Sequence, residues 1–173
     1  ERVWLWNAAF GRANGTCAEL ISIPESQAVK INNDVSYESA ACMGIPASTA
    51  YYGVLANGSV ENKTVLISGG AGAVGFYGIQ LAKLSGANVI TTVSSDEKAE
   101  VADDAGADKI INYKNENVVE EVMKYTDNGG VDRIVEVEFG GNLAINKEII
   151  KHNGIIAAYG SMAETEPSLP FYN

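Results

Sequence analysis

The sequence predicts an α/β protein, a doubly wound parallel sheet with helices on both faces, preceded by the tail of a β-rich lobe. From Asn62 on, short β-branched apolar runs alternate with stretches of helical periodicity. That alternation builds a parallel sheet through right-handed crossovers. One strand-to-helix turn carries Gly69, Gly70, Gly72 and Gly75. The composition, 46% hydrophobic with 18 glycines in 173 residues, suits one substantial core with part of a second lobe.

Residues 1–31 differ in character from the rest of the chain. Val3–Trp6 and Thr16–Ile23 read as strands joined by a loop over Gly11 to Gly15, Pro24-Glu25 as a turn, and Ala28–Ile31 as a short extended run. This segment has no self-contained core, and it is expected to be the end of a lobe whose beginning is absent. Residues 32–61 form a helical bridge. Asp34 or Ser36 caps a helix carrying Ala40, Ala41 and Met43; Pro46 interrupts it, and a helical stretch resumes from Ser48 to Leu55.

The remaining residues, 62–173, hold five predicted strands. Val65, Leu66 and Ile67 form the first, and a helix with Val74, Ile79 and Leu81 among its apolar positions comes next. Asn88–Val93 is the second strand, with a helix over Asp96–Ala105 that Gly106 closes; Lys109–Asn112 is the third, with a helix over Asn117–Tyr125. Asp132–Val137 is the fourth strand, Leu143–Lys151 a helix closed by Asn153-Gly154, and Ile155–Tyr159 the fifth strand. The run-up to a sixth strand falls at residues 170–173, so the sheet is expected to be truncated.

Gly70, Gly72 and Gly75 give the spacing G-x-G-x-x-G between a strand and a helix, the context of a Rossmann-type dinucleotide turn. The first glycine permits the tight turn, the second lets backbone approach a pyrophosphate, and the third lets the helix pack close to the sheet. Orphan N–H groups at the helix start then face the phosphates. Taken alone, such a loop also occurs as a plain turn.

The formal net charge of −10 argues against a general nucleic-acid surface, which draws on clustered Lys and Arg. No apolar run approaches the ~18 residues of a membrane span. The opening Glu-Arg-Val-Trp has no basic-then-apolar start, so no secretory leader is expected. Cys17 and Cys42 form no C-x-x-C pair, and a reducing, cytoplasmic location is expected.

Several motifs, in order, resemble the zinc-independent medium-chain dehydrogenases/reductases, and among them the zeta-crystallin-like NADPH:quinone oxidoreductases. They are Gly15-Thr-Cys-Ala-Glu19, Gly44-Ile-Pro-Ala-Ser-Thr-Ala-Tyr51, Ser68-Gly-Gly-Ala-Gly-Ala-Val-Gly75 and Gly106-Ala-Asp-Lys-Ile-Ile-Asn-Tyr113. Gly130-Val-Asp132, Asn142-Leu143 and Tyr159-Gly-Ser161 continue the likeness. The resemblance implies that residues 1–31 belong to a GroES-like substrate lobe, most of which is missing. It implies an NADPH-dependent oxidoreductase acting on a quinone or related conjugated carbonyl, and a homodimer is the expected assembly. Zinc-dependent relatives carry a cysteine ligand where this chain has Ile45; catalytic zinc needs about three protein ligands, so no metal site is expected, and Cys42 reads as a small buried residue.

Cofactor contacts are carried over position by position from the resemblance. Ala71, Gly72, Ala73 and Val74 match the pyrophosphate loop, and Gly140 matches the approach to the cofactor after the fourth strand. Tyr159, Gly160, Ser161 and Met162 match the run beside the nicotinamide half, and Thr49 the hydroxyl that the bridging helix brings near it. The wording Glu138-Phe139-Gly140-Gly141 departs from the family. Thr49 reads equally as a hydroxyl bonded within its own helix.

The tip of the second strand separates NADPH from NADH. NAD-preferring folds carry Asp or Glu there for the ribose 2′-OH. Here Ser94 and Ser95 leave room for a phosphate, and Lys98 supplies a cation one turn later; Tyr113 matches a family position beside the adenosine phosphate. Asp96 is the contrary feature, since its carboxylate either caps the helix or favours NADH. NADPH is the expected cofactor, with Lys98 alone reading equally as a solvated helix residue.

A hydrolase is excluded by the lone His152 beside a helix end and the absence of a G-x-S-x-G elbow. Glu136 and Glu138, about 7 Å apart along one strand face, superficially resemble a glycosidase pair, but Glu136 is expected to make polar contacts at the strand end. Hydride transfer asks little acid–base machinery of the protein, and no catalytic acid is assigned. Two alternatives share the cofactor residues: an NADPH-binding module without turnover, in a structural, sensing or RNA-associated role, and an enal or enoyl thioester reductase.

Overall fold

A computed structural model of the chain describes residues 1–169 and divides them into two compact units, Glu1–Ile45 and the part from Pro46 on. In the first unit, β1 (Val3–Leu5) pairs antiparallel with β2 (Ala28–Lys30), with Trp4 opposite Val29. A 3-10 turn over Glu25–Gln27 leads into β2, and the Trp6 indole N–H donates to the Ser26 carbonyl. Arg2 closes the loop after β2: its guanidinium donates to the carbonyls of Asn33 and Val35 and lies 4.3 Å from the Tyr37 ring centre. Thr16–Ile23 forms no strand, contrary to expectation. Its β-forming side chains have no ladder partner among the described residues, and Leu20 is 91% exposed.

Helix α1 (Tyr37–Leu55) starts at Ser36, whose hydroxyl accepts from the Ser39 N–H. It kinks at Gly44, two residues before Pro46. Proline has no N–H to donate and its ring crowds the carbonyl four residues back; the interruption expected at Pro46 falls at Gly44, whose backbone is non-helical between two helical stretches.

The second unit is a five-stranded parallel sheet in the order β5-β4-β3-β6-β7, built from β3 (Thr64–Ile67), β4 (Asn88–Val93), β5 (Lys109–Asn112), β6 (Val131–Glu136) and β7 (Ile150–Ala158). The crossovers run through α2 (Ala73–Leu84), α3 (Asp96–Asp104), α4 (Val118–Tyr125) and α5 (Phe139–Ile149). Strand periodicity sends Val65 and Ile67 to one face and Leu66 to the other. Val65 and Ile67 join the cluster with Ile79, Val89 and Val135, and Leu66 joins Ile90, Ile111, Val122, Ile134 and Ile149. A central strand buried on both faces is what its uninterrupted apolar run requires.

Two boundaries near the end of the sheet differ from expectation. Helix α5 starts at Phe139 rather than Leu143, because Glu138 acts as its cap and accepts from the Gly141 N–H. It ends at Ile149, and β7 begins at once: Val131 pairs with Ile150 but Arg133 with Ile155, so residues 151–154 bulge out of the ladder. Asn153 holds a left-handed φ of 62° inside that bulge, where the sequence suggested a helix-closing turn. His152 is exposed within β7. The expected run-up to a sixth strand at 170–173 lies outside the described residues. No helix of the described residues is long and apolar enough to cross a membrane.

Candidate functional site

The site grows from the turn between β3 and α2. Gly69 has a φ of 71°, a left-handed conformation that suits glycine. Its N–H donates to the Thr92 hydroxyl and the Gly70 N–H to the Thr92 carbonyl, which lashes the turn to the tip of β4. The Gly72 N–H returns to the Gly69 carbonyl at 2.9 Å. Helix α2 then begins with Gly72 at its cap, no side-chain cap and no acidic residue in its first turn. Its first N–H groups have no intrahelical partner, and the positive end of the helix dipole is unneutralised.

These donors face a cavity of about 380 Å³ lined by Gly69 and 71–75, with Ser94, Lys98, Tyr113, Val137 and Tyr159 opposite. Lys98 Nζ donates to the Ser94 hydroxyl at 2.8 Å, and Ser95 caps α3 by accepting from the Lys98 N–H. The exposed Lys114 lies 5.3 Å from the Tyr113 ring centre, outside the residues that line the cavity. Asp96 does not line this cavity; its carboxylate accepts from the Asn112 amide of β5. The arrangement suits an anionic, phosphate-bearing ligand laid across an uncapped helix start with a lysine at its far end.

A second cavity, of about 590 Å³, shares Gly69, Thr92, Tyr113 and Val137 with the first and continues to Ser68, Glu136, Asn142 and Asn146. Glu136 is fully buried and makes the polar contacts expected at the end of its strand. Glu138 lines the same cavity, and the backbone N–H of Met162 foremost, with those of Ala163 and Gly141, holds its carboxyl below the usual carboxylate range against the opposing effect of burial. Sequence reasoning did not single out Ser68, Asn142 or Asn146 as site residues. The signal for the last two was available, since positions four apart share a helix face.

Several expected contact residues stand elsewhere. Gly70 packs against Thr91 and Ile79 beneath the turn. The Gly140 N–H donates to the Ser161 hydroxyl, and a side chain at Gly140 would collide with Glu164, so Gly140 faces the segment after β7 and not a cavity. The Gly160 carbonyl accepts from the Phe139 N–H, and the Met162 side chain is 85% exposed. Thr49 lines a separate cleft of about 440 Å³ with Ser48, Tyr52, Ala157 and Tyr159. Tyr159 alone belongs to both this cleft and the glycine-turn cavity.

Burial, reinforced by the nearby Glu136 charge, pushes the Tyr159 phenol up to about 12. The unfolded chain loses that proton near ~10, so between these values the native state binds more protons and stability falls as pH rises. The stabilising contribution is complete below the lower value and lost through about 12. Urea midpoints measured on the alkaline side are expected to fall with pH in the wild type and less steeply in Tyr159→Phe; parallel slopes would remove Tyr159 as the cause.

Ile45 is 80% exposed, Cys17 and Cys42 are exposed free thiols, and no group of three His, Cys, Asp or Glu among the described residues could hold a metal.

The pattern of the zinc-binding dehydrogenases matches residues 73–173. The chain is 26% identical over 154 residues to a quinone oxidoreductase of Homo sapiens, covering 88% of this chain and 47% of that protein. It is 42% identical over 129 residues to an L-threonine 3-dehydrogenase of Pyrococcus abyssi, covering 74% and 36%. Its structure resembles the Escherichia coli quinone oxidoreductase complexed with NADPH, with a TM-score of 0.76 at 26% identity, covering 83% of this chain and 44% of that one. The chain thus spans less than half the length of each of these proteins.

Proposed function

The chain belongs to the zinc-binding dehydrogenase family, and from that membership we propose that it serves as the cofactor-binding part of a zinc-independent oxidoreductase that uses NADPH to reduce a quinone or related conjugated carbonyl. The observation that carries the reading is the single cavity joining the uncapped start of α2 to Ser94, Lys98 and Tyr113. A diphosphate fits the first-turn N–H groups of α2. A 2′-phosphate fits the Lys98–Ser94 pair, where an NAD-selective site would present a carboxylate; the nearby Asp96 is engaged by Asn112.

When bound, the cofactor supplies the hydride. The protein's part is to bind, orient and exclude water: the glycine turn anchors the diphosphate, while Val137 and Tyr159 wall the cavity toward β6 and β7. In a doubly wound sheet the two nucleotide halves lie on opposite sides of the strand-order reversal, so the nicotinamide half falls toward Tyr159. Within this reading residues 1–31 end a substrate lobe, 32–61 bridge, and 62–173 bind the cofactor, in a cytoplasmic homodimer.

The test is NADPH and NADH titration, by nicotinamide fluorescence, of the full-length protein and its Lys98→Ala variant, and then NADPH oxidation with a panel of small quinones. Loss of one charge-assisted phosphate contact is expected to weaken NADPH roughly tenfold and leave NADH nearly unchanged. Equal losses for both cofactors would remove the phosphate role of Lys98. Tight NADPH binding without turnover of any acceptor would favour the non-enzymatic module over the reductase.

A further inference from the structure

Glu136 ends β6, the strand beside β3 at which the strand order reverses. It is fully buried, and no lysine or arginine pairs with it among the described residues. A carboxylate so placed is stable only when its lone pairs are filled by donors. Four fill them. One oxygen accepts from the Ser68 hydroxyl at 2.6 Å, the Glu138 N–H at 2.7 Å and the Asn142 amide at 3.0 Å; the other accepts from the Asn146 amide at 2.8 Å.

Those donors come from both sides of the crevice. Ser68 immediately precedes the glycine turn, and its oxygen also accepts from the Val137 N–H at 3.0 Å. Glu138 caps α5, and Asn142 and Asn146 occupy successive turns of that helix. One carboxylate therefore ties the entry to the β3–α2 turn, the β6–α5 turn and the first half of α5 into a single network. Glu136, Ser68 and both asparagines line the cavity that joins the glycine-turn cavity through Gly69 and Val137. An apolar side chain would have filled this space with no buried charge. A network of this kind fixes geometry when every member is satisfied.

We infer that Glu136 is a positioning residue: its carboxylate sets the spacing of the two turns that flank the crevice, so that both meet one dinucleotide. The assignment of the ligand rests on the reading given under Proposed function; the spacing role does not. Glutamine has nearly the same shape, but it turns an amide toward the donors that the carboxylate accepts from. Ser68→Ala removes one donor and keeps the charge.

The experiment measures amide hydrogen exchange of the unliganded full-length protein and its NADPH affinity, for the wild type, Glu136→Gln and Ser68→Ala. In Glu136→Gln, amides at 69–75 and 137–142 are expected to exchange at least tenfold faster, while those of β4 and β5 keep their protection. NADPH affinity should fall roughly tenfold or more, since small displacements of positioning groups are costly, with kcat at saturating NADPH changed much less. Ser68→Ala should show the same exchange pattern at smaller amplitude, and it decides the question if Glu136→Gln fails to fold. Uniform acceleration across the sheet, or unchanged exchange in both turns, overturns the assignment. A wild type that binds no NADPH overturns the cofactor reading instead, and the exchange pattern still decides the role of Glu136.

Discussion

Replacing Gly75 with alanine is expected to destabilise the domain by about 3 kcal/mol, the upper end of the cost of overpacking a core, and to abolish measurable NADPH binding. Gly75 lies in the first turn of α2 and is buried. A Cβ there would overlap the Gly69 carbonyl oxygen and sit 2.8 Å from the Gly69 carbonyl carbon and 2.9 Å from the Gly70 Cα. All three are backbone atoms, so no side-chain rotation relieves the clash. Helix propensity works the other way, since alanine is better than glycine in a helix interior by about 1 kcal/mol. The steric cost is larger, and it wins. Relief requires either α2 to move away from the sheet or the turn to open, and both displace the N–H groups that face the cavity.

Gly72→Ala separates the two consequences. Its Cβ would meet only the Gly69 carbonyl oxygen, at 3.2 Å, a contact that a few tenths of an ångström relieves. The methyl would, however, stand at the cavity-lining cap of α2. Thermal denaturation should therefore show a large drop for Gly75→Ala and a small one for Gly72→Ala, while fluorescence titration shows weakened NADPH binding in both. A Gly75→Ala protein with unchanged melting and unchanged affinity would mean that the start of α2 is not held against the turn.

The contrast shows what a sequence carries about this fold. The glycine spacing and the apolar runs of β3, β4 and β5 are local signals, and these strands lie where the sequence places them because packing on both faces leaves those residues one environment. Ser36 was legible for the same reason, as a cap acts within three residues of its own position, whereas at α3 the sequence offered Asp96 as the cap and Ser95, one residue earlier, takes that place. Thr16–Ile23 failed because a strand is made by its partner, and propensity does not supply one. Residues 151–154 failed because Asn-Gly is compatible with a helix-closing turn and with a bulge, and only the ladder between β6 and β7 distinguishes them.

The site shows the same division. Ser94 and Tyr113 directly follow β4 and β5, and Lys98 lies in the first turn of α3, so the order of elements alone brings them to one edge of the sheet, where they line one cavity. Gly140 was misplaced because Glu138, ahead of the expected start of α5, caps the helix early and gathers the N–H groups of Met162 and Ala163. Those partners are 24 and 25 residues away, beyond the reach of any pattern read along the chain.

Arg133 is the extreme case, and its removal carries the second large expected effect. It lies in β6 with 1% of its surface exposed and no carboxylate partner among the described residues. Its guanidinium donates to the carbonyls of Val54, Asn57 and Gly58, at and just beyond the end of α1, where the last carbonyls have no helical partner and a cation complements the dipole. Burial pulls its pKa down, yet a guanidinium remains charged in a protein. Arg133→Ala is expected to cost about 3–5 kcal/mol, from lost charge-assisted hydrogen bonds and a cavity together. Arg133→Met isolates the two, because it restores most of the volume and none of the donors. Replacing a buried charge by a packed apolar chain is sometimes neutral, but here the abandoned partners include the carbonyl of the fully buried Val54. Arg133→Met is therefore expected to cost about 2 kcal/mol, the middle of the range for unsatisfied buried groups, in urea denaturation with an unchanged slope. A methionine variant as stable as the wild type would show that water reaches those carbonyls, and that Arg133 fills space without capping the helix.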